Sequence, residues 1–256
     1  MAALSCSSSR QIQGAGTPEA EWQAWPGLAT LPMVNARALV PKGERAVIVA
    51  PHPDDEVLGA AGLMVQMNQL GRSLLLIAAT DGTGSHPSST VWPRDRLAHE
   101  RPLETQRALA ILGLGHLPIS RLGLQDGQLA HDEVVLTEAV TQLLRPGDVV
   151  FTTWRFDGHP DHEACGRACA LASARAGARL MEMPIWAWHW AQPGDHRMPW
   201  STAFSLPLPA SLAHRKRLAV QAFTSQIEPD PTRQETCVLP ATALARLLRP
   251  MEVFFR

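Results

Sequence analysis

Short apolar runs alternate with segments of helical periodicity along most of this chain. Residues 46–50, 73–80 and 149–153 are largely apolar and continuous, which is the pattern of strands buried on both faces of a sheet. Helical periodicity fills the intervals and stops at glycines such as Gly71 and Gly113. Strands that alternate with helices form βαβ units. The chain is therefore predicted to be an α/β protein with a Rossmann-like, mainly parallel sheet flanked by helices.

The same pattern predicts the domain organisation. Residues 1–44 are a polar leader or extension with a few apolar anchors, which either drapes over the rest of the chain or stays mobile. Residues 45–256 are long enough to bury a core and are predicted to form a single domain. The further elements expected within it are helices over 55–70, 95–112 (kinked or restarted at Pro102), 132–144, 162–176 and 211–223, and strands over 119–124, 178–188, 202–206 and near Val253.

Composition limits the possible partners. The formal net charge is −1, from 23 basic and 24 acidic residues, and no basic block stands out, so nucleic acid is not an expected partner. No segment reaches the roughly 18 apolar residues that a membrane-spanning helix needs, and residues 1–16 lack the apolar core of a secretory signal. The four cysteines form neither a disulfide framework nor a paired zinc pattern. These features indicate a protein of the reducing cytoplasm, and they leave its oligomeric state open.

Two clusters of imidazole and carboxylate groups follow predicted strands. Residues 52–56 have the sequence HPDDE and follow the first strand, and residues 159–162 have the sequence HPDH and follow the strand over 149–153. Open α/β sheets place their ligands at the carboxyl ends of the strands. A helix cap would explain one aspartate in each cluster, but it explains neither the histidines nor the further acids.

The residue types in the two clusters indicate a catalytic metal site. Imidazole and carboxylate are usual protein ligands of catalytic zinc, and another carboxylate beside them can take a proton from metal-bound water. We therefore interpret the clusters as one site of a metal-assisted hydrolase, with Zn2+ as the expected cofactor and Fe2+ as an ion that fits the same ligands. Spacing alone does not say which histidine of the second cluster is the ligand.

The two clusters resemble those of the PIG-L/LmbE-like zinc-dependent deacetylases, which remove the acetyl group from N-acetylglucosamine derivatives. Weaker similarity extends over residues 46–226, at Thr80-Asp81-Gly82, Arg101, Glu104, Gln125-Asp126-Gly127, Lys216 and Ser225-Gln226. The leader and a tryptophan-rich segment match no pattern of the family. The resemblance implies an N-deacetylase whose substrate is a small amino sugar and whose site lies at the C-terminal edge of the sheet.

The resemblance also assigns roles to individual residues. It implies zinc binding by His52, Asp55 and His162. Asp54 is then the general base, and His159 stabilises the oxyanion or protonates the leaving amine. Asp161 is expected to orient His159 and to raise its pKa. Three protein ligands would leave positions for water and the amide oxygen, as in catalytic rather than structural zinc sites.

Four further residues are candidates for contact with the substrate. Arg101 and Asp126 match family residues that line the pocket, and Asp126 is suited to hold sugar hydroxyls. For Arg101, an ion pair with Glu104 on a solvated helix face is an equally good interpretation. Trp186 and Trp188 are expected to share one face of an extended segment, where they would contact a sugar ring or an acyl chain. The alternative is a strand whose large residues cover the edge of the core.

Other functions are less consistent with the sequence. A dinucleotide-binding enzyme needs G-x-G-x-x-G at the first strand–helix turn, where this chain has three carboxylates. The G-x-S-x-G motif of serine hydrolases and the H-E-x-x-H motif of zinc peptidases are absent. Two alternatives stay open, namely an amidase acting on a sugar-thiol conjugate or an N-acylated natural product, and a non-catalytic sugar-binding protein. Asp54 and His159 argue against the second, because metal binding alone needs neither.

Overall fold

The computed structural model describes residues 10–232 and 237–256, and within them the chain forms one seven-stranded sheet. The strands are β1 (Arg45–Ala50), β2 (Ser73–Thr80), β3 (Ile119–Leu124), β4 (Val149–Thr153), β5 (Arg179–Met183), β6 (Ala203–Pro207) and β7 (Met251–Phe255). Their order across the sheet is β3-β2-β1-β4-β5-β7-β6. Neighbours from β3 to β5 are parallel, whereas β7 is antiparallel to both β5 and β6. The predicted mainly parallel α/β fold is confirmed.

Helices cover both faces of this sheet. They are α1 (Glu19–Ala24), α2 (Pro26–Ala29), α3 (Ala36–Leu39), α4 (Asp55–Gln69), α5 (Arg94–Ile111), α6 (Glu133–Leu143), α7 (Pro160–Ala176), α8 (Ala187–Trp190), α9 (Ala210–Val220), α10 (Thr224–Ile227) and α11 (Ala241–Leu247). Ile48 of β1 belongs to the apolar cluster that includes Leu63 of α4, and its neighbour Val47 belongs to the cluster that includes Leu136 of α6. Burial on both faces explains the continuous apolar run of this strand. None of the helices in the described part of the chain combines the length and apolar character needed to cross a membrane.

A buried ion pair contacts the backbone of α4. Lys216 of α9 and Glu252 of β7 lie 2.9 Å apart, with 1% of each side chain exposed. Lys216 donates a hydrogen bond of 2.7 Å to the carbonyl oxygen of Leu58. Glu252 accepts the backbone N–H groups of Gly62 and Leu63. The Leu58 carbonyl and the Gly62 N–H are the groups that pair with each other in a regular helix, so the ion pair engages the backbone of α4 just beyond its first turn.

The N-terminal segment packs against the rest of the chain over its described part, residues 10–44, while residues 1–9 lie outside the described residues. Trp22 of α1 is fully buried, and its ring meets the ring of Trp188 edge-on with 5.0 Å between the centroids. The indole N–H of Trp22 also donates to the carbonyl oxygen of Trp188. For these residues, draping over the domain is therefore the arrangement observed.

One local prediction is wrong, and one of two alternatives at Pro102 is excluded. The strand predicted over 178–188 ends at Met183, and the chain turns into the short helix α8. The turn forms because the buried Asp157 carboxylate accepts the backbone N–H groups of Ile185, Trp186 and Ala187. The helix around Pro102 does not restart there, because α5 runs continuously through it.

Candidate metal centre

The two predicted clusters meet at the carboxyl edge of the sheet. β1 and β4 are neighbouring parallel strands, so the loops that follow them lie side by side. The first loop leads into α4 and the second into α7. His52 and His162, 110 residues apart in the sequence, consequently have their nearest ring nitrogens 3.3 Å apart.

Three side-chain atoms in this cluster form a nearly equilateral triangle. Nδ1 of His52 lies 3.3 Å from Oδ2 of Asp55, and Nε2 of His162 lies 3.3 Å from the same oxygen. The two nitrogens are also 3.3 Å apart. Ligand atoms of a tetrahedral zinc site with bonds of about 2.0–2.1 Å are separated by about 3.3–3.4 Å. His159 also offers a nitrogen within 4.8 Å of those of His52 and His162, but Asp55 completes the tighter triangle.

Outer carboxylates fix the orientation of both imidazoles. Nε2 of His52 lies 3.1 Å from Asp126 and 3.2 Å from Asp161. Nδ1 of His162 lies 2.8 Å from Asp157. An ionised carboxylate accepts hydrogen bonds only, so the outer nitrogen of each ring carries a proton. Once the ring has lost its other proton, the nitrogen in the triangle can offer its lone pair to a metal, which is the usual arrangement around metal-binding histidines.

Asp157 was missed in the sequence. It lies five residues before His162, in the same short loop, and its side chain is fully buried. The signal available was a second acidic residue beside the HPDH cluster, four residues before Asp161. The spacing of that acid to the cluster did not reveal which histidine it would contact.

The charges within the triangle are strongly coupled. Burial lowers the pKa of His162, but the Asp55 and Asp157 carboxylates outweigh burial and raise this pKa to about 9. The carboxylates around His52 likewise overcome its burial and raise its pKa well above the usual value. Burial raises the pKa of Asp55, yet attraction to His162 and hydrogen bonds from both imidazoles bring it well below its ordinary range. A metal ion that binds here must therefore displace protons from imidazole.

Asp54 lies beside the triangle in an unusual backbone conformation. Its φ is 130°, a region that a residue with a side chain rarely adopts, and such strain is typical of functional sites. The Glu56 carboxylate accepts its backbone N–H, and the guanidinium of Arg101 lies 3.0 Å from its carboxylate. Burial raises the pKa of Asp54 to about 8, against the opposing charge of Arg101. A carboxylate with a raised pKa is a better proton acceptor in catalysis than an ordinary one.

Arg101 lines the cavity, and its guanidinium is engaged by groups of the protein. It is 2% exposed and donates to the carbonyl oxygens of Gly82 and Pro53 as well as to Asp54. Gly82 has a φ of 64°, and a Cβ there would lie 1.9 Å from the guanidinium, which explains a glycine at this position. The alternative interpretation, a solvated pair with Glu104, is wrong. Glu104 is also buried and accepts hydrogen bonds from Thr224 and Ser225 instead.

The contact expected between the Asp161 carboxylate and the His159 ring does not form. The Asp161 carboxylate faces His52 and accepts the backbone N–H groups of Gly127 and Leu129. It is the backbone N–H of Asp161 that contacts His159, by donating to Nδ1 at 3.3 Å. Burial, followed by the positive charges of His162 and His52, lowers the pKa of His159 to about 2. In the metal-free chain His159 is therefore neutral, with its proton on Nε2.

The triangle opens into a cavity of about 320 Å³, which the ligand triad shares with Asp54, His159 and Asp126. This volume lies near the lower end of the range for small-molecule sites. Asp126 accepts the backbone N–H of Gly84 at 2.6 Å, which joins the loop after β2 to the loop after β3. The predicted Asp126 thus lies at the cavity and also contacts His52.

The two tryptophans predicted to share one face are separated. Trp186 lines the cavity and is partly exposed. Trp188 does not line it, because this residue is 3% exposed and packs between Trp22 and the guanidinium of Arg249. In the short helix that follows Trp186, positions two apart lie on different faces, so the alternation expected of a strand does not hold. Trp188 is a core residue and not a substrate contact.

Comparison with known proteins relates this site to a family. Residues 47–173 match the model of the PIG-L family, described as GlcNAc-PI de-N-acetylase. A probable N-acetyl-alpha-D-glucosaminyl L-malate deacetylase 2 from Bacillus cereus is 31% identical over 139 residues, which are 52% of this chain and 62% of that protein. A diacetylchitobiose deacetylase from Thermococcus kodakarensis is 31% identical over 127 residues, 48% of this chain and 46% of that protein. The match thus spans about half to three-fifths of these relatives' own length.

Solved structures share the fold. The A40926 pseudoaglycone deacetylase is 20% identical with a TM-score of 0.60, over 82% of this chain and 96% of that one. A conserved protein from Thermus thermophilus is 28% identical with a TM-score of 0.51, over 73% of this chain and 81% of that one. The family match includes both histidine–carboxylate clusters, whereas the N-terminal extension and residues after 173 lie outside it.

Proposed function

The chain belongs to the PIG-L family over residues 47–173, and from this premise we propose that it is a metal-dependent hydrolase that removes an N-acetyl or other N-acyl group from an N-acetylglucosamine-type sugar. Relatives in the family are named as deacetylases of amino sugars. The proposed substrate is accordingly a small amino-sugar derivative. The proposed compartment is the cytoplasm, on the cysteine usage noted above.

The residues present fit a metal ion. His52, Asp55 and His162 would hold it, because their three donor atoms have the mutual spacing of 3.3 Å that a tetrahedral ion requires. Both imidazoles are oriented by buried carboxylates on their other nitrogen, as metal-binding histidines are. Zinc is the proposed ion, and ferrous iron is compatible with the same donors. A bound divalent ion would supply an acidified water and a polarised amide carbonyl.

Asp54 is proposed to accept the proton of the attacking water. Asp54 lies at the cavity, where Arg101 donates to its carboxylate and Glu56 accepts its backbone N–H. The raised pKa of Asp54 suits a group that takes a proton and then delivers it to the leaving amine. Arg101 acts through Asp54 and is a positioning residue.

His159 is proposed to donate a hydrogen bond from Nε2 to the oxygen that becomes negative during attack. Its Nδ1 is already engaged by the backbone N–H of Asp161, which fixes the tautomer. The lowered pKa keeps this imidazole neutral, so it stabilises charge as a donor rather than as an acid. Asp161 and Asp126 support His52, and Asp126 also offers its carboxylate edge to a sugar hydroxyl.

One observation carries this proposal. The triangle of ligand atoms shares its cavity with a strained, buried carboxylate and a neutral imidazole that metal binding alone does not need. A sugar-binding protein without catalysis has no use for either group. The amidase alternative for a sugar-thiol conjugate or an N-acylated natural product uses the same chemistry and differs in the acyl group.

The direct test measures acetate release from N-acetylglucosamine and a panel of its glycosides. The wild-type chain should release acetate with zinc present and lose this activity after chelation. Asp54→Asn should bind zinc but release acetate at least about a hundredfold more slowly, because general-base catalysis contributes roughly 10²–10⁴. Unchanged release by Asp54→Asn, or binding of zinc without hydrolysis of any N-acyl sugar, would contradict the proposed function.

A further inference from the structure

The walls of the cavity differ in chemistry on the two sides of the metal cluster. β1 and β4, which carry the two clusters, lie at the centre of the parallel strands, with β2 and β3 on one side and β5 on the other. The loops after β2 and β3 contribute polar groups, including Ser85, Asp126 and Gln128. They are tied together by the hydrogen bond from Gly84 to Asp126. This polar wall offers acceptors and donors to a hydroxylated ring.

The opposite wall is apolar. Its members come from the first turn of α4 and from the turn after β5, and they are Leu58, Ile185 and Trp186. We call these three residues the apolar wall. Leu58 and Ile185 are almost fully buried and form its floor, whereas Trp186 is partly exposed at its rim.

The apolar wall is fixed to the metal cluster. Leu58 follows Asp55 by three residues on α4, so the two side chains lie on the same face of the helix. The backbone N–H groups of Ile185 and Trp186 bind Asp157, which in turn holds His162. The apolar wall is thus a formed part of the site.

An amide that reacts at the cluster must present one substituent to each wall. A secondary amide is trans, so its acyl carbon chain and its nitrogen substituent point in opposite directions. The hydroxyl-rich sugar on nitrogen belongs against the polar wall, because its hydroxyls find partners there. We propose that the apolar wall binds the acyl side, and that the substrate is an amino sugar whose N-acyl group is an aliphatic chain longer than acetyl.

This inference rests on the proposed hydrolase function and adds the substrate class. The reaction is unchanged: the water oxygen bonds to the acyl carbon, the carbon–nitrogen bond breaks, and the amine takes a proton as the fatty carboxylate is released. Each methylene buried on the wall contributes roughly 0.8 kcal/mol, which is a three- to fourfold gain in kcat/KM when the contact persists in the transition state. An acetyl group has no methylene to bury.

The test is a chain-length series of N-acylglucosamines, with acetyl, propanoyl, butanoyl and hexanoyl groups, assayed by release of the free amine. For the zinc-loaded wild type we expect kcat/KM to rise from acetyl to butanoyl by roughly threefold to fourfold per methylene. Trp186→Asp places a charge on the rim of the apolar wall and should abolish this rise. Val134→Asp is the matched control, because Val134 is 74% exposed on α6 and is not a cavity residue.

The outcomes separate the two proposals. A rise in wild type and in Val134→Asp that is lost in Trp186→Asp supports the acyl-chain site. Hydrolysis of the acetyl substrate with kcat/KM that does not rise as the chain lengthens overturns this inference and leaves the deacetylase intact. A rise that survives in Trp186→Asp overturns the assignment of the wall. Release of amine from none of the substrates, with zinc bound, overturns the proposed function itself.

Discussion

Asp157→Asn tests whether the Asp157 carboxylate orients the His162 ring for metal binding. One Asp157 oxygen accepts the backbone N–H groups of Ile185 and Ala187, and the other accepts those of Trp186 and the His162 ring. An asparagine of the same shape keeps one oxygen and places an NH₂ group where the other was. If its oxygen keeps the first pair, the NH₂ group faces the His162 nitrogen and favours the tautomer that carries the proton on Nε2. That tautomer cannot offer Nε2 to a metal.

The magnitude follows from these contacts. In that orientation the backbone N–H of Trp186 loses its acceptor, which costs about 1–3 kcal/mol, so the metal-free chain should lose about 1–3 kcal/mol of its free energy of unfolding. Loss of a carboxylate behind a metal-binding histidine typically weakens the metal about 10- to 100-fold. The second effect is specific to the metal, whereas the first is expected of any buried carboxylate with several donors.

The assay compares zinc affinity by competition with a chelator and unfolding by denaturant. Glu182→Gln is the matched control, because Glu182 is 7% exposed and accepts hydrogen bonds from Arg155, away from the metal cluster. It should lose stability but keep its zinc affinity. Zinc affinity in Asp157→Asn within threefold of wild type would refute the role given to Asp157.

Three more predictions follow from the structure. Zinc affinity should increase as the pH rises towards about 9, because His162 binds metal as the neutral imidazole and its raised pKa keeps it protonated below that value. Calorimetry should detect protons released on zinc binding, and a zinc affinity independent of pH would contradict this prediction. Lys216→Met should lower the free energy of unfolding by about 3–5 kcal/mol, because it leaves the buried Glu252 charge unpaired. The double variant Lys216→Met/Glu252→Gln should recover much of that loss. Denaturant unfolding in which the double variant is no more stable than the single one would contradict this prediction. Arg101→Ala should reduce kcat far more than it raises KM, because the guanidinium of Arg101 is engaged by Asp54 and by two carbonyl groups. Steady-state kinetics with an effect on KM alone would contradict this positioning role and favour substrate binding by Arg101.

The sequence predicted the central strands β1 and β4 well because they are buried on both faces, and a continuous apolar run between glycine-bounded helices has few other interpretations. The strands over 46–50, 73–80, 119–124 and 149–153 agree with the structure to within a residue. The strand predicted over 178–188 was too long. Its end is determined by Asp157, a residue from another loop, and periodicity carries no information on such a contact.

The meeting of the two clusters could also be predicted, because parallel neighbouring strands end at the same edge. The partners within the clusters could not. Asp161 lies next to His159 in sequence but faces His52, since the loop after β3 supplies the N–H groups that orient it. Trp188 was misassigned because alternating tryptophans fit a strand, whereas a single helical turn sends them to different faces.

The most direct test of the central claim is acetate release as a function of zinc added to the metal-free chain. We predict that release from an N-acetylglucosamine substrate is absent without zinc, rises in proportion to bound metal and saturates when the site formed by His52, Asp55 and His162 holds one ion. Release at the full rate by the metal-free chain, or a rise with zinc that persists when His162 is replaced by alanine, would contradict the account.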